Sequence, residues 1–92
     1  MGRTPREKPA CLAKKLIQIR MALDLSQDGI INRLGLEHQL TREEISKYER
    51  GLRVPSLLTL LRYARVSNLV VDYLIDDDLD LPKMLPARTP RQ

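Results

Sequence analysis

The sequence is poor in aromatic residues, with three Tyr, no Phe and no Trp in 92 positions. Leu, Ile and Val must therefore fill the interior, which suits packed helices better than an aromatic-rich sandwich or barrel. One cysteine, Cys11, excludes an intramolecular disulfide framework. The one histidine, His38, lies far from it in the chain, and the two cannot supply a structural zinc site within one chain. They also leave little material for a Cys/His or Ser/His nucleophile. No enzyme, metal site or cofactor is expected. The sequence shows neither a charged-then-apolar signal segment nor an apolar run of membrane-spanning length, so a cytoplasmic protein independent of membranes is the expectation.

What is present is charge, at 30% of residues, alongside 42% apolar residues, enough for one small domain with tails. Residues 1–71 carry 13 Lys/Arg against 7 Asp/Glu, a balance of +6. Residues 72–80 carry five Asp and no base, and residues 81–92 carry Lys83, Arg88 and Arg91. A basic body without a catalytic set points to a polyanion partner, or to charge that serves solubility alone.

The punctuation divides the chain into three parts. Residues 1–9, with Gly2, Pro5, Pro9 and the bases Arg3, Arg6 and Lys8, read as a flexible basic arm. Residues 10–76 read as the folded domain, and residues 77–92 as an acidic and then basic, Pro-rich tail. In the domain, Leu12, Leu16, Ile19 and Leu23 recur at helical spacing, while Lys14, Lys15 and Gln18 lie off that face, predicting a first helix from Pro9 or Ala10 to Leu23. Ser26 is the predicted cap of a second helix that buries Ile30, Ile31 and Leu34 and stops at Gly35. Thr41 followed by Glu44 is a capping-box pattern opening a third helix over about 42–50. Its inward face is Ile45 with Tyr48 or Glu49, and its outward face is Arg42, Glu43, Ser46, Lys47 and Arg50. Pro55 and Ser56 open a fourth helix that Asn68 ends, and Val71, Leu74 and Ile75 make a short fifth. An all-α chain of five short helices is the predicted architecture.

Several pieces in order carry a resemblance: Ser26-Gln27, Leu34-Gly35, the run Ile45-Ser46-Lys47-Tyr48-Glu49-Arg50-Gly51, Pro55-Ser56-Leu57 and Asp72-Tyr73-Leu74. Together they resemble the Cro and lambda-repressor-like helix-turn-helix domains, the XRE family, from about Leu12 to Ile75. The resemblance implies a compact five-helix domain whose second and third helices form the helix-turn-helix, the third lying in the major groove of double-stranded DNA. It implies base reading by Arg42, Glu43, Ser46 and Lys47, since Arg and Lys donate to guanine O6/N7 and Glu accepts from cytosine N4. It further implies phosphate binding by Gln27, Arg50, Arg53 and Ser56, and a structural ion pair between Arg20 and Glu49. The bland alternative stays open: Glu43 and Glu44 favour a helix N-terminus anyway, and Arg42 and Lys47 would suit a solvated face.

Three departures from the family pattern stand out. The turn between the second and third helices, Leu36 to Leu40, is about four residues longer than usual. Ile31 stands where a small Ala is usual, beside Gly29, which weakens its helix by about 1 kcal/mol relative to Ala. Ser67 stands where a core Leu is usual. His38 is expected to face solvent, and the Asp72 to Asp80 run to be a solvated linker away from DNA.

The expected function is a sequence-specific transcriptional regulator, a repressor that binds a palindromic operator as a homodimer, with Val70, Tyr73 and Leu74 near the dimer contact. The alternative is an antitoxin-like or adaptor protein that uses the same fold to hold a protein partner, for which residues 72–86 are the candidate surface.

Overall fold

Three helix starts in this chain follow from side chains with an oxygen to spare. The computed structural model describes residues 9–86 and forms, among them, five helices and no strand: α1 (Leu12–Ala22), α2 (Gln27–Leu34), α3 (Arg42–Glu49), α4 (Leu57–Ser67) and α5 (Asp72–Ile75). The Gly29 N–H donates to Ser26 Oγ at 2.9 Å to start α2, and the Thr59 N–H donates to Ser56 Oγ at 3.2 Å to start α4. At α3 the exchange is reciprocal: Glu44 N–H donates to Thr41 Oγ1 at 3.2 Å and Thr41 N–H donates to Glu44 Oε1 at 3.1 Å. Gly35 (φ +74°) and Asn68 (φ +62°) end α2 and α4 in the left-handed region, as their positions predict. A Cβ at Gly35 would also meet the guanidinium of Arg62 at 3.3 Å, where Arg62 Nη1 donates to Leu34 O at 2.7 Å and covers a free carbonyl at the end of α2.

α1 departs from the predicted pattern. Its start is Leu12, two or three residues later than expected, and the N–H groups of Ala10 and Cys11 just ahead of it are drawn to a distant carboxylate. They donate to Asp77 Oδ2 at 2.8 Å and Oδ1 at 3.0 Å. The acidic segment is therefore no free linker: it folds back on the start of α1, and Leu81 beyond it packs against the core.

α1 packs against α3, α4 and α5, and α2 against α3 and α4. The core takes Leu12, Leu16 and Ile19 from α1; Ile30, Ile31 and Leu34 from α2; Ile45 and Tyr48 from α3; Leu60, Tyr63 and Ala64 from α4; and Leu74 from α5. Each such aliphatic side chain contributes roughly 1.5–3 kcal/mol on burial. Leu74, expected near a dimer contact, is fully buried and cannot serve there; Tyr73 is half-buried and Val70 exposed.

Two buried polar side chains go beyond the apolar pattern. Lys15, placed off the apolar face by sequence, is 3% exposed. Its Nζ donates to the carbonyls of Tyr73 at 2.7 Å, Asp76 at 2.9 Å and Leu79 at 2.6 Å, three acceptors for three protons. Ser67 is buried at a position suited to Leu, and its hydroxyl bonds to the carbonyls of Tyr63 at 2.8 Å and Ala64 at 3.0 Å. The arm residues Arg3, Arg6 and Lys8 and the tail residues Arg88 and Arg91 lie outside the described residues.

Candidate nucleic-acid interface

α3 has too narrow an apolar stripe to be a core helix and too good a cap to be a loop. Ile45, Tyr48 and Glu49 are buried, and the other side leaves Arg42, Glu43 and Arg50 exposed with Ser46 and Lys47 half-buried. These are the residues the sequence pattern assigns to the outward face, and the helix brings them together on one side. The long turn before α3 is held from within. Leu36 is 5% exposed, and its carbonyl accepts from the N–H groups of Gln39 and Leu40, both at 2.9 Å. The extra residues thus close a turn of their own, anchored by Leu36 and half-buried Leu40, and only Glu37, His38 and Gln39 face solvent. The four-residue spacing of Leu36 and Leu40 is the signal that sequence reasoning passed over.

One buried carboxylate ties three elements together. Arg20 Nε donates to Glu49 Oε2 at 2.7 Å and Nη2 to Glu49 Oε1 at 3.1 Å, while Nη1 donates to Leu25 O at 3.0 Å. Glu49 Oε1 also accepts from Gln27 Nε2 at 3.2 Å. α1, the entry to α2 and the end of α3 are thereby joined. The hydrogen bond with Glu49 raises the Arg20 guanidinium above its ordinary value, against the opposing effect of burial. Behind this network Tyr63 is fully buried, and burial first, then the Glu49 charge, pushes its phenol well above the usual range. Its Oη has no hydrogen-bond partner among the described residues.

The expected phosphate ligands are placed less uniformly. Gln27 is half-buried and spends one N–H on Glu49. Ser56 is exposed, but its Oγ caps α4 and donates to Thr59 Oγ1 at 3.0 Å. Arg50 Nε donates to Ser46 Oγ at 3.1 Å, so these two face residues are coupled. Arg53 is exposed, with Nη1 4.0 Å from Glu44 Oε2. Arg42, at the first position of α3, has Nη2 3.5 Å from Asp28 Oδ2 of α2, a partner the sequence pattern did not single out. Among the described residues no group of three or more His, Cys, Asp or Glu side chains is arranged to hold a metal, and no helix is long and apolar enough to cross a membrane.

A family model described as helix-turn-helix matches residues 16–69, more than half of the chain and the whole of α2, the long turn, α3 and α4. The chain belongs to the Cro and lambda-repressor-like (XRE) helix-turn-helix family. The family is one of DNA-binding regulators. Among solved structures it is similar to a SinR protein/SinI protein complex, at a TM-score of 0.62 and 22% identity, over 73% of this chain. It spans 62% of the length of that chain, and the likeness is one of fold. No curated protein matches the chain.

Proposed function

We propose that this chain is a sequence-specific repressor that binds a palindromic operator as a homodimer, with α3 in the major groove. The observation that carries the reading is the helix itself. Arg42, Glu43, Ser46 and Lys47 stand on its outward side while Ile45, Tyr48 and Glu49 hold the inward side to the core. Arg42 and Lys47 supply donors for guanine, and Glu43 an acceptor for cytosine. Arg50, Arg53, the second N–H of Gln27 and the backbone near Ser56 are left to contact phosphates, which position the protein without reading sequence.

Homodimer formation is supported by reach: one eight-residue helix reads few base pairs, whereas two modules about 34 Å apart read a palindrome. It is supported also by the apolar side chains left exposed in the segment that follows Arg53, namely Val54, Leu57, Leu58 and Leu61. The same exposed side chains favour a second reading, an adaptor that holds a protein partner, and the fold neighbour was solved as a complex of two proteins.

The test is enrichment of a random-sequence duplex library by the purified protein at two salt concentrations, beside an Arg42→Ala/Lys47→Ala variant. The expected result is a palindromic motif lost in the variant, with binding that falls steeply as salt rises. Salt-sensitive binding without enrichment overturns the operator reading and leaves the adaptor.

A further inference from the structure

Neighbouring residues of one turn tie the start of α2 to both ends of α3. Gln27 donates to Glu49, the last residue of α3, at 3.2 Å. Asp28, the next residue, places Oδ2 3.5 Å from Nη2 of Arg42, the first residue of α3. Ser26 caps the same turn through the Gly29 N–H, and Glu49 is itself gripped by Arg20, so the backbone that carries Asp28 has a fixed place relative to α3.

An arginine at an exposed helix start has many side-chain conformations, and a carboxylate at a fixed point selects among them. The contact runs through Nη2 alone, and whichever Nη2 hydrogen faces Asp28, the other lies parallel to an N–H of Nε or Nη1, which keeps one pair of parallel donors for guanine O6 and N7. A negative charge beside the groove also repels phosphates, so complexes in which Arg42 is not aligned with its base are penalised. We infer that Asp28 is a positioning residue that sets the base preference of Arg42. The inference rests on the reading of α3 as the base-contacting helix.

The experiment repeats the library selection with the full chain carrying Asp28→Asn, Asp28→Glu, Arg42→Ala and the Asp28→Asn/Arg42→Ala pair. Both residues are exposed and an exposed pair adds little stability, so all variants should fold with melting temperatures close to the parent. In D28N, preference at the base read by Arg42 should fall about tenfold while preference elsewhere in the motif persists, and affinity for unrelated DNA should rise. D28E should restore the preference. R42A should lose the same preference, and the double variant should lose no more than R42A alone, as coupled residues do. A parent motif that D28N enriches unchanged at every position overturns the role of Asp28 alone. A parent protein that enriches no motif overturns the base-reading assignment of α3, and the role of Asp28 with it.

Discussion

The two ends of α3 are held to the start of α2 in opposite ways. At the C-terminal end, Glu49 is 6% exposed in its side chain and receives Arg20 and Gln27 at 2.7–3.2 Å. At the N-terminal end, Arg42 and Asp28 are 69% and 63% exposed in their side chains and stand 3.5 Å apart. Removing one partner of a buried pair strands a charge that water cannot reach, whereas an exposed ion can exchange its partner for solvent or for a base. The first arrangement makes a scaffold; the second leaves a donor that can be handed over. If α3 reads DNA as proposed, it must be rigid and must also bind, and the two arrangements sit at its opposite ends.

The contrast predicts a gradient of effects. Glu49→Ala should cost about 3 kcal/mol, because it strands Arg20 and frees Gln27. In a domain of this size that loss is a fall of roughly 12–24 °C in a thermal melt. An unchanged melt would remove the distinction between the two ends. Lys15 is the next case, a buried cation whose partners are carbonyls rather than an acid. Lys15→Ala should cost about 2 kcal/mol in urea denaturation, through loss of three charge-assisted hydrogen bonds.

Asp77 is an exposed carboxylate with fixed donors, and pH resolves its contribution. The hydrogen bond from the Ala10 N–H, then that from Cys11, holds its carboxyl below the ordinary aspartate value. A group lowered in the folded state stabilises fully above its unfolded value, about 3.9, and ceases to do so as pH falls through the folded value. Asp77→Asn should therefore melt below the parent at neutral pH, with the gap closing in acid. A gap independent of pH would assign the effect to something other than the carboxylate. The smallest effect belongs to the outer end of α3: Asp28→Asn should change stability by under about 1 kcal/mol in the same melts.

The parts of this molecule legible in the sequence are those with local causes. Ser26, Thr41 and Ser56 cap helices through N–H groups three residues away, and Gly35 and Asn68 stop them through their own dihedrals. Helical periodicity alone assigns Arg42, Glu43, Ser46 and Lys47 to one side of α3, because burying Ile45 and Tyr48 leaves no other side for them. What escaped reading depends on how helices cross. Nothing near Lys15 in the chain announces three carbonyls 58 to 64 residues later, and nothing near Asp28 announces Arg42 on another helix. Ser67 reads as a flaw in a core pattern until its hydroxyl is seen bonded to its own helix. The long turn looks like slack until Leu36 is found buried.

The bond from the Ala10 N–H to Asp77 spans 67 positions, and it orders events as the chain is made. Synthesis delivers the N-terminal part first, at about 5–20 residues per second. α1 emerges early, yet the carboxylate that completes its first turn and the carbonyls that receive Lys15 arrive only with residues 73–79. For several seconds the nascent α1 carries an open N-terminus and a lysine with no interior to enter. The first helix to be translated is in this respect the last to be finished, and it is finished by residues on both sides of the boundary that the sequence draws between domain and tail.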